Sequence, residues 1–507
     1  MRTHTLCFVL AAMIGFASAA NGWNNGSSND NQLPESLERK VRNLRTDLES
    51  KGYEVARGAW NLFRIEDCKF AIETIGNCLG NNPAAPYLIP SVPLWPDEFV
   101  DQNVRDLLGP TPDDTWWTYR LDEREALVVL AQLPPPGRYF GMQTYIFSRE
   151  GEIDTTDEVY QSVTDDPFMQ NILFMMSPNP SRVLVFSSIG NSNNNVVTER
   201  QSGAAFNQQR FFIITPDAVM ERALTEALLR AGVPNRNHVF IEPVSTDLAR
   251  LGLGSGEDDL MTLMRYSLPQ DETAGDEWRR QLPLAVLRVR DTNTARPTEP
   301  YPKPAYDERI ARSELGLKGD VENLVEAVKQ LWGQPAAKDR AFESLMLTVD
   351  LIGQHCLERP MNCLGDTQDA DYQISPTESI DSGEVLAVVG TLGTATGNAT
   401  YTSLAPNRIP ALVGVTNISD PDLKGSASAF SETVGNTDKL YVYYFARECG
   451  NLPNCREITE EMVPRGDAVK IVQRNYVVPG ATRGPEPKKL VNPTLIQLDG
   501  AKRPSSR

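Results

Sequence analysis

Short apolar runs, each bounded by Gly, Asn or Pro, occupy the middle of the chain. Residues 182–189, 210–215 and 238–241 are rich in β-branched and aromatic side chains, a composition typical of buried strands. A polar loop at 190–195 follows the first run, and a helical pattern with one apolar face lies between the second and the third. The pattern therefore predicts a central α/β layer made of strand, loop, strand, helix and strand.

Strand patterns on either side of this layer resemble each other. Residues 125–133 and 138–147 predict two strands joined by a proline-glycine turn, and residues 384–401 have the same layout. Four positions align without a gap: Glu125 with Glu384, Leu127 with Leu386, Val129 with Val388 and Leu133 with Leu392. The alignment favours two related β-sandwich halves, but any apolar hairpin would match as well by chance, so both interpretations stay open. The first stretch resembles exported bacterial proteins of unknown activity built on jelly-roll halves, a resemblance that implies a fold and no residue role.

Helical patterns complete the prediction of the fold class. Residues 257–268 look helical, and a helix that begins at Asp320 is followed by a second helix from about 336 to 355. The five prolines between residues 81 and 96 indicate an extended coil, because proline cannot donate to a β-ladder. We therefore expect an α+β, or mixed α/β, protein: a central α/β layer flanked by β-sandwich, jelly-roll-like halves, with a helical connector between them.

Composition divides the chain into segments. A basic start, an apolar run at 6–16 and a small-x-small ending at Ala17 to Ala19 predict a secretory signal peptide, because the run is too short to cross a bilayer. The predicted segments are a signal peptide at 1–19, a disordered leader at 20–34, an α/β domain with a β-sandwich part at 35–295, a proline-rich linker at 296–306, a helical connector with a C-terminal β-sandwich at 307–480, and a loosely held tail at 481–507.

Six cysteines remain once the signal peptide, which contains Cys7, is removed. They form three close pairs, Cys68 with Cys78, Cys356 with Cys363, and Cys449 with Cys455, and local pairing in an exported chain predicts three disulfides. A zinc, haem or iron site is disfavoured because His238 and His355 are the only histidines of the mature chain and do not adjoin each other. We expect no cofactor and no resident metal.

The charge balance restricts the partners. With 67 acidic and 49 basic residues, the chain has a formal charge of −18, which disfavours binding to nucleic acid or to an anionic membrane surface. Together with the signal peptide, this predicts a soluble extracellular protein whose partner is a small molecule or a carbohydrate. The oligomeric state is not predicted.

Ser192 is the sharpest candidate for catalysis, because it lies in the polar loop Gly190-Asn191-Ser192 directly after a buried strand. The loop resembles the Gly-Asp-Ser signature of one serine-esterase superfamily, with Asn191 in place of Asp. The superfamily's closing Asp-x-x-His is absent. A nucleophilic serine needs a base, and we predict His355, oriented by Asp350, in that role; the alternatives are His238 with Asp217 or Asp247. An ordinary asparagine-rich turn explains the same residues.

Two acidic groups and three sequons complete the candidates. Asp366, Asp369 and Asp371 could hold calcium, although the central glycine and closing glutamate of a helix-loop-helix site are missing. Asp113 and Asp114 before Trp116 and Trp117 could form a sugar-binding surface, with core tryptophans and solvated acids as the simpler interpretation. The acceptor sequons for N-glycosylation begin at Asn25, Asn398 and Asn417.

Two functional hypotheses follow from these residues. The first is an extracellular hydrolase, esterase-like, with Ser192 as the nucleophile, His355 as the base and Asp350 as the orienting acid. The second is a non-catalytic extracellular binding or surface protein that recognises carbohydrate or another protein, which the scarcity of histidine and the β-rich halves favour.

Overall fold

The computed structural model describes residues 31–112 and 114–502, which cluster as one compact unit. Helices account for 27% and strands for 31% of the residues, and the strands form several sheets, so the predicted α+β class is confirmed. The predicted signal peptide and most of the leader lie outside the described residues. Asn31, which we place in the disordered leader, exchanges two hydrogen bonds with the backbone of Trp60.

We call residues 31–291 the first half. Its helices are α1 (Glu35–Ser50), α2 (Cys68–Ile75), α3 (Asn103–Leu108), α4 (Glu158–Ser162), α5 (Pro167–Leu173), α6 (Asn195–Ser202), α7 (Ala218–Arg230) and α8 (Glu272–Gln281). Its strands are β1 (Tyr53–Phe63), β2 (Tyr87–Pro93), β3 (Thr115–Trp116), β4 (Glu125–Gln132), β5 (Gly137–Glu150), β6 (Arg182–Ser188), β7 (Asn193–Asn194), β8 (Gln209–Thr215), β9 (Val239–Pro243), β10 (Asp259–Pro269) and β11 (Leu284–Asp291).

The strands of the first half follow the order β6-β5-β10-β2-β1-β11-β4-β8-β9. Residues 53–58 of β1 pair with β11, whereas residues 59–63 pair with β2. β1 therefore joins two groups of strands: β11, β4, β8 and β9 on one side, and β2, β10, β5 and β6 on the other. Side chains of both groups, among them Leu127 and Phe140, share one buried core. The opposite face of β4 packs against α1 and α7, which bury the apolar sides of their helices there.

We call residues 315–502 the second half, and residues 292–314 the connecting segment. The helices of the second half are α9 (Lys318–Leu331), α10 (Leu345–Thr348), α11 (Gly353–Glu358), α12 (Gly393–Thr396) and α13 (Asp420–Leu423). Its strands are β12 (Asp339–Ala341), β13 (Glu343–Ser344), β14 (Ala370–Ile374), β15 (Glu378–Ser379), β16 (Glu384–Thr391), β17 (Tyr401–Ile409), β18 (Val413–Gly414), β19 (Ile418–Ser419), β20 (Leu440–Ala446), β21 (Cys455–Glu457), β22 (Ala468–Tyr476) and β23 (Thr494–Asp499).

The second half repeats the topology of the first. The order β12-β23-β16-β20-β21 matches β1-β11-β4-β8-β9, and in both series only the last pair of strands is parallel. The order β13-β14-β22-β17-β18 likewise matches β1-β2-β10-β5-β6. Such agreement across two whole series of strands exceeds what chance matching of one hairpin would produce. The two halves therefore share one strand topology.

The registers of the two halves agree with the gapless alignment of their sequences. Leu127 of β4 lies opposite Ile214, and its aligned counterpart Leu386 of β16 lies opposite Phe445. In each half, β4 or β16 packs one face against helices, α1 and α7 in the first half and α9 in the second. The opposite face packs against the facing group of strands of the same half. The internal repeat that the sequence left open is thereby confirmed. The sandwich and jelly-roll details of the prediction are not confirmed.

Two equivalent loops hold the halves together by a reciprocal exchange. The tetrapeptide Asn-Cys-Leu-Gly occurs at 77–80 and at 362–365. The backbone N–H groups of Cys78 and Gly80 donate to residues 411 and 412 of the second half, at 2.8 and 3.0 Å. Those of Cys363 and Gly365 donate to residues 185 and 186 of the first half, both at 2.9 Å. Each half therefore extends a loop onto the other.

A buried arginine from each half completes this exchange. Arg265 of β10 donates to the carbonyl of Gly365 at 2.7 Å, and Arg474 of β22 donates to the carbonyl of Gly80 at 2.9 Å. Both arginines are at least 96% buried. Arg265 lies opposite Tyr87 in β2, and Arg474 lies opposite Tyr372 in β14. These equivalent pairs allow the residues of the two halves to be aligned one by one.

All three predicted disulfides are confirmed. Cys68–Cys78 and Cys356–Cys363 occupy equivalent places, because each closes the connection that carries an Asn-Cys-Leu-Gly loop. Cys449–Cys455 closes the connection from β20 to β21, where the first half has α7. The rings are short, so the first two disulfides shape the exchanged loops more than they restrict the unfolded chain.

Several predicted elements are corrected by the structure. Residues 259–269 form the strand β10 instead of a helix, and β2 with its prolines is a paired strand instead of a coil. Residues 336–355 contain β12, β13 and α10 instead of one helix. The predicted hairpin strands β4 and β5 do not pair, because the prolines between them lack the N–H donors of a tight turn and lead the chain into the facing group of strands.

The termini of the predicted domains also differ in part from the structure. Residues 481–507 were expected to be a loose tail, yet β23 lies between β12 and β16, and its Leu495, Ile496 and Leu498 are buried. The tail prediction is therefore wrong for residues 494–499. The connecting segment is hydrogen-bonded to both halves, through Glu299 and Asp217 on one side and Arg312 and Asn398 on the other. The remaining domain boundaries stay predictions.

Within the described ranges, no helix combines the length and the apolar character that crossing a membrane requires. Together with the three disulfides, this is compatible with the predicted secretion, which stays a prediction.

Candidate functional site

The structure brings two of the three predicted catalytic residues together. His355 Nδ1 is 3.0 Å from an oxygen of Asp350, which also accepts from Arg359. Ser192 is 97% buried, and its hydroxyl donates to the carbonyl of Met142 at 3.4 Å. Among the described residues, no hydrogen bond joins Ser192 to His355 or to His238. The catalytic assignment thus stays a prediction.

The alternative partners are also engaged elsewhere. His238 Nδ1 is 3.0 Å from the side-chain oxygen of Asn235, and partial burial lowers the pKa of its imidazole. Asp217 accepts from two backbone N–H groups at the start of α7 and is the N-cap of that helix. Asp247 accepts from the backbone of Lys303.

The predicted sugar-binding surface at Trp116 and Trp117 is wrong. Both side chains are buried, Trp117 donates to the carbonyl of Gly109, and the guanidinium of Arg105 covers the Trp116 ring at 4.5 Å. Asp113 lies outside the described residues. The two tryptophans are therefore part of the core.

The inner face of the second half is polar where the first half is apolar. The cross-strand pairs Leu88–Met264 and Phe140–Tyr266 belong to the core of the first half. The equivalent pairs in the second half are Gln373–Gln473 and Thr402–Asn475. We call these four residues, with Asp371, the polar interior; all five are at least 97% buried. Because the first half builds the same framework with apolar side chains, the fold itself does not require polar residues at these positions.

A chain of hydrogen bonds leads through the polar interior toward the surface. Tyr441 donates to Gln473, Gln473 donates to Gln373 at 2.9 Å, and Gln373 donates to Asn492 at 2.9 Å. Tyr441 is fully buried, whereas Asn492 is partly exposed. These four residues, which we call the amide relay, therefore connect the interior with solvent.

Asp371 is the most unusual member of the polar interior. It is fully buried, and among the described residues neither carboxylate oxygen has a hydrogen-bond partner of normal geometry, although the backbone N–H of Tyr372 lies near enough to lower its pKa. Burial raises the pKa of Asp371 to about 7; the nearby Arg309 opposes that rise, and the nearby Glu314 adds to it. A buried carboxylate without a partner is costly, which is the kind of cost found more often at functional sites than in structural cores.

A surface cleft of about 370 Å³ opens beside the end of the relay. We call it the α9 cleft, because α9 forms one wall and the start of β23 forms another. Leu315, Lys318, Glu322, Leu490, Val491 and Asn492 are among its lining residues. Its volume lies within the usual range for small-molecule sites, roughly 300–1,000 Å³. Asn492 belongs to both the cleft and the relay, so the two form one candidate site.

No sequence motif marks this site, although Asp371 of the polar interior is one of the predicted calcium ligands. The three aspartates do not converge on a metal: Asp366 accepts from Ser188, Asp369 accepts from Tyr139, and Asp371 lies on the inner face. Within the described residues, no group of three His, Cys, Asp or Glu side chains is arranged to hold a metal ion. The Asn-Cys-Leu-Gly repeat was the signal that could have aligned the halves.

One predicted glycosylation site is not accessible in the folded protein. The side chain of Asn398 is fully buried and donates to the carbonyl of Arg312 and to Glu314, at 2.9 and 2.8 Å. Asn25 lies outside the described residues. Glycosylation at Asn417, which is partly exposed, stays a prediction.

Buried carboxyl groups predict that stability falls as pH rises. Burial raises the pKa of Glu242 to about 8, of Asp371 to about 7 and of Asp420 to about 6. The folded state holds these protons more tightly than the unfolded state does. The stabilisation that results is complete below about pH 4 and is lost progressively as the pH rises to about 8. We expect the free energy of unfolding to fall across this window, by about 1.4 kcal/mol per pH unit for each group that is titrating. Urea unfolding between pH 5 and pH 8 measures it.

The matched variants for this pH dependence are Glu242→Gln, which should flatten the decline between pH 5 and pH 8, and Glu123→Gln at an exposed position, which should leave it unchanged. A stability that is constant or rises over this window would contradict the assignment.

Comparison with known proteins identifies no family for the chain. No protein-family model and no curated protein matches it. Among solved structures, the chain is similar to an uncharacterised protein from Burkholderia cenocepacia, with 11% sequence identity and a TM-score of 0.37 over 92% of this chain and 88% of that one. A likeness at this level supports no argument about function.

Proposed function

We propose that this protein is a disulfide-stabilised extracellular binding protein that takes a small polyhydroxylated ligand, a carbohydrate, in the α9 cleft. The observation that carries the proposal is the contrast between the halves: equivalent positions are apolar in the first and hydrogen-bonding in the second. Buried polar side chains cost stability relative to a packed apolar core, and through Gln373 the polar interior orients Asn492, which lines the cleft.

The lining of the cleft suits a saccharide. Leu315, which is 56% exposed, offers an apolar contact for the carbon face of a sugar ring, while Lys318, Glu322 and Asn492 offer donors and acceptors for its hydroxyl groups. The amide relay behind Asn492 fixes the direction of that side chain, which lowers the entropy lost on binding.

Calorimetric titration against a panel of mono- and oligosaccharides tests the proposal. We expect at least one saccharide to bind, and Asn492→Ala to weaken that affinity at least about tenfold, because one hydrogen bond and its relay are lost. Asn323→Ala is the matched control, since Asn323 is an exposed residue of α9 that does not line the cleft. Equal weakening by both variants, or binding of no saccharide, would contradict the proposal.

A hydrolase is the second candidate, and the observation that favours it is the hydrogen bond between His355 and Asp350, which would orient the imidazole of a catalytic base. Assays with generic esters distinguish the two functions. The binding proposal expects no turnover. Ester hydrolysis that is lost in both Ser192→Ala and His355→Gln, with folding intact, would support the hydrolase instead.

A further inference from the structure

The hydrogen bonds of the amide relay run in one direction, from the buried tyrosine to the cleft. Each of the two glutamines accepts with its carbonyl oxygen and donates with its nitrogen, so the orientation of one is coupled to that of the next. Gln373 occupies the side-chain oxygen of Asn492. The amide nitrogen of Asn492 has two N–H donors and no hydrogen-bond partner among the described residues, so it is available to a ligand.

A second donor lines the same cleft. The ammonium group of Lys318 lies at the start of α9, and its side chain is 69% exposed. Glu322, which also lines the cleft, is 4.0 Å from that ammonium and opposes the approach of an anion. A cleft lined by one cationic and one neutral donor suits an anionic carboxylate better than a neutral hydroxymethyl group.

We infer that the α9 cleft selects saccharides that carry a carboxylate, the uronates, over neutral saccharides, and that Tyr441 is a positioning residue for this selection. The inference rests on the proposed function. Tyr441 acts through the relay: its hydroxyl holds Gln473, which holds Gln373, which holds Asn492 with its N–H groups available to the ligand. Without that hydroxyl, both glutamines and Asn492 can turn over together and offer a carbonyl oxygen instead.

The test compares the affinities of glucuronate and glucose, and of galacturonate and galactose, for the full chain. We expect each uronate to bind about tenfold more tightly than its neutral counterpart. Tyr441→Phe should bring this ratio close to one, whereas Tyr443→Phe, on the same strand and outside the relay, should leave it unchanged. The affinity ratio is the decisive readout. If the role of Tyr441 were merely structural, Tyr441→Phe would lower the melting temperature and leave the affinity ratio unchanged.

Charge variants provide a second measurement that does not depend on Tyr441. Glu322→Gln should increase the preference for uronates and Lys318→Gln should decrease it, each about three- to tenfold. If saccharides bind but the ratio is one in the parent protein, or is the same in Tyr441→Phe, the inference is overturned and the proposed function stands. If no saccharide binds, the proposed function fails and the inference fails with it.

Discussion

Replacing Arg288 with Met is expected to lower the free energy of unfolding by at least about 4 kcal/mol, because it leaves two buried carboxylates without a cation. Arg288 is fully buried in β11 and donates to Glu125 at 3.0 Å and to Glu98, both of which are almost completely buried. It also donates to the backbone carbonyls of residues 93 and 120. Urea unfolding at pH 7 measures the loss.

Arg290→Met is the matched control for this prediction. Arg290 lies two residues further along β11 and pairs with Glu54 and Asp97, whose side chains are 50% and 63% exposed. Its loss should cost less than about 1 kcal/mol, since exposed ion pairs contribute little. Adding Glu98→Gln and Glu125→Gln to Arg288→Met should recover part of the stability. Similar losses in Arg288→Met and Arg290→Met would contradict the account of the first half.

Replacing Arg265 with Met is expected to cost roughly 3–5 kcal/mol and to loosen the junction between the halves. The guanidinium donates to Gly365 of the opposite half and to the hydroxyl of Tyr145, both at 2.7 Å, and it lies over the ring of Tyr87. Each of these groups is left without its partner in a buried setting. Urea unfolding measures the cost, and limited proteolysis of the 362–365 loop measures the loosening.

The equivalent arginine allows a test of the duplication itself. Arg474→Met removes the corresponding hydrogen bond to Gly80, so it should also destabilise the junction, although by less, because one of its terminal nitrogens has no partner among the described residues. Arg280→Met, at an exposed position of α8, should change stability by less than about 0.5 kcal/mol. Proteolysis at Gly80 or Gly365 should be faster in Arg265→Met and Arg474→Met than in Arg280→Met. The opposite order would contradict the reciprocal contacts between the two halves.

The parts of the fold that sequence predicted well are the short continuous apolar runs and the segments with clear helix signals. Strands β4 and β16 show regular apolar patterns, and α1 and α9 have one apolar face. The central strand β10 was mistaken for a helix because its apolar residues Leu260, Leu263 and Met264 have the i, i+3, i+4 spacing of a helix face. Strand β2 was missed because its prolines argue against a strand within a sheet, although β2 pairs with β1 and with β10.

The candidate site could not be predicted from a single pass along the chain. Gln373, Gln473 and Asn492 are far apart in sequence, and isolated amides carry no motif. They become informative when the two halves are aligned and the same positions prove apolar in one half and polar in the other. The alignment of residues 125–133 with 384–392 was correct, but only the strand order and the paired loops extended it to the remaining strands.

Hydrogen–deuterium exchange in the presence and absence of the best-binding uronate tests the central claim most directly. The account predicts that the ligand slows exchange in residues 315–322 and 490–494, which form the α9 cleft, and leaves the equivalent helix of the first half, α1, unchanged. Protection confined to the loop at 190–195, or spread equally over both halves, would contradict the specialisation of the second half.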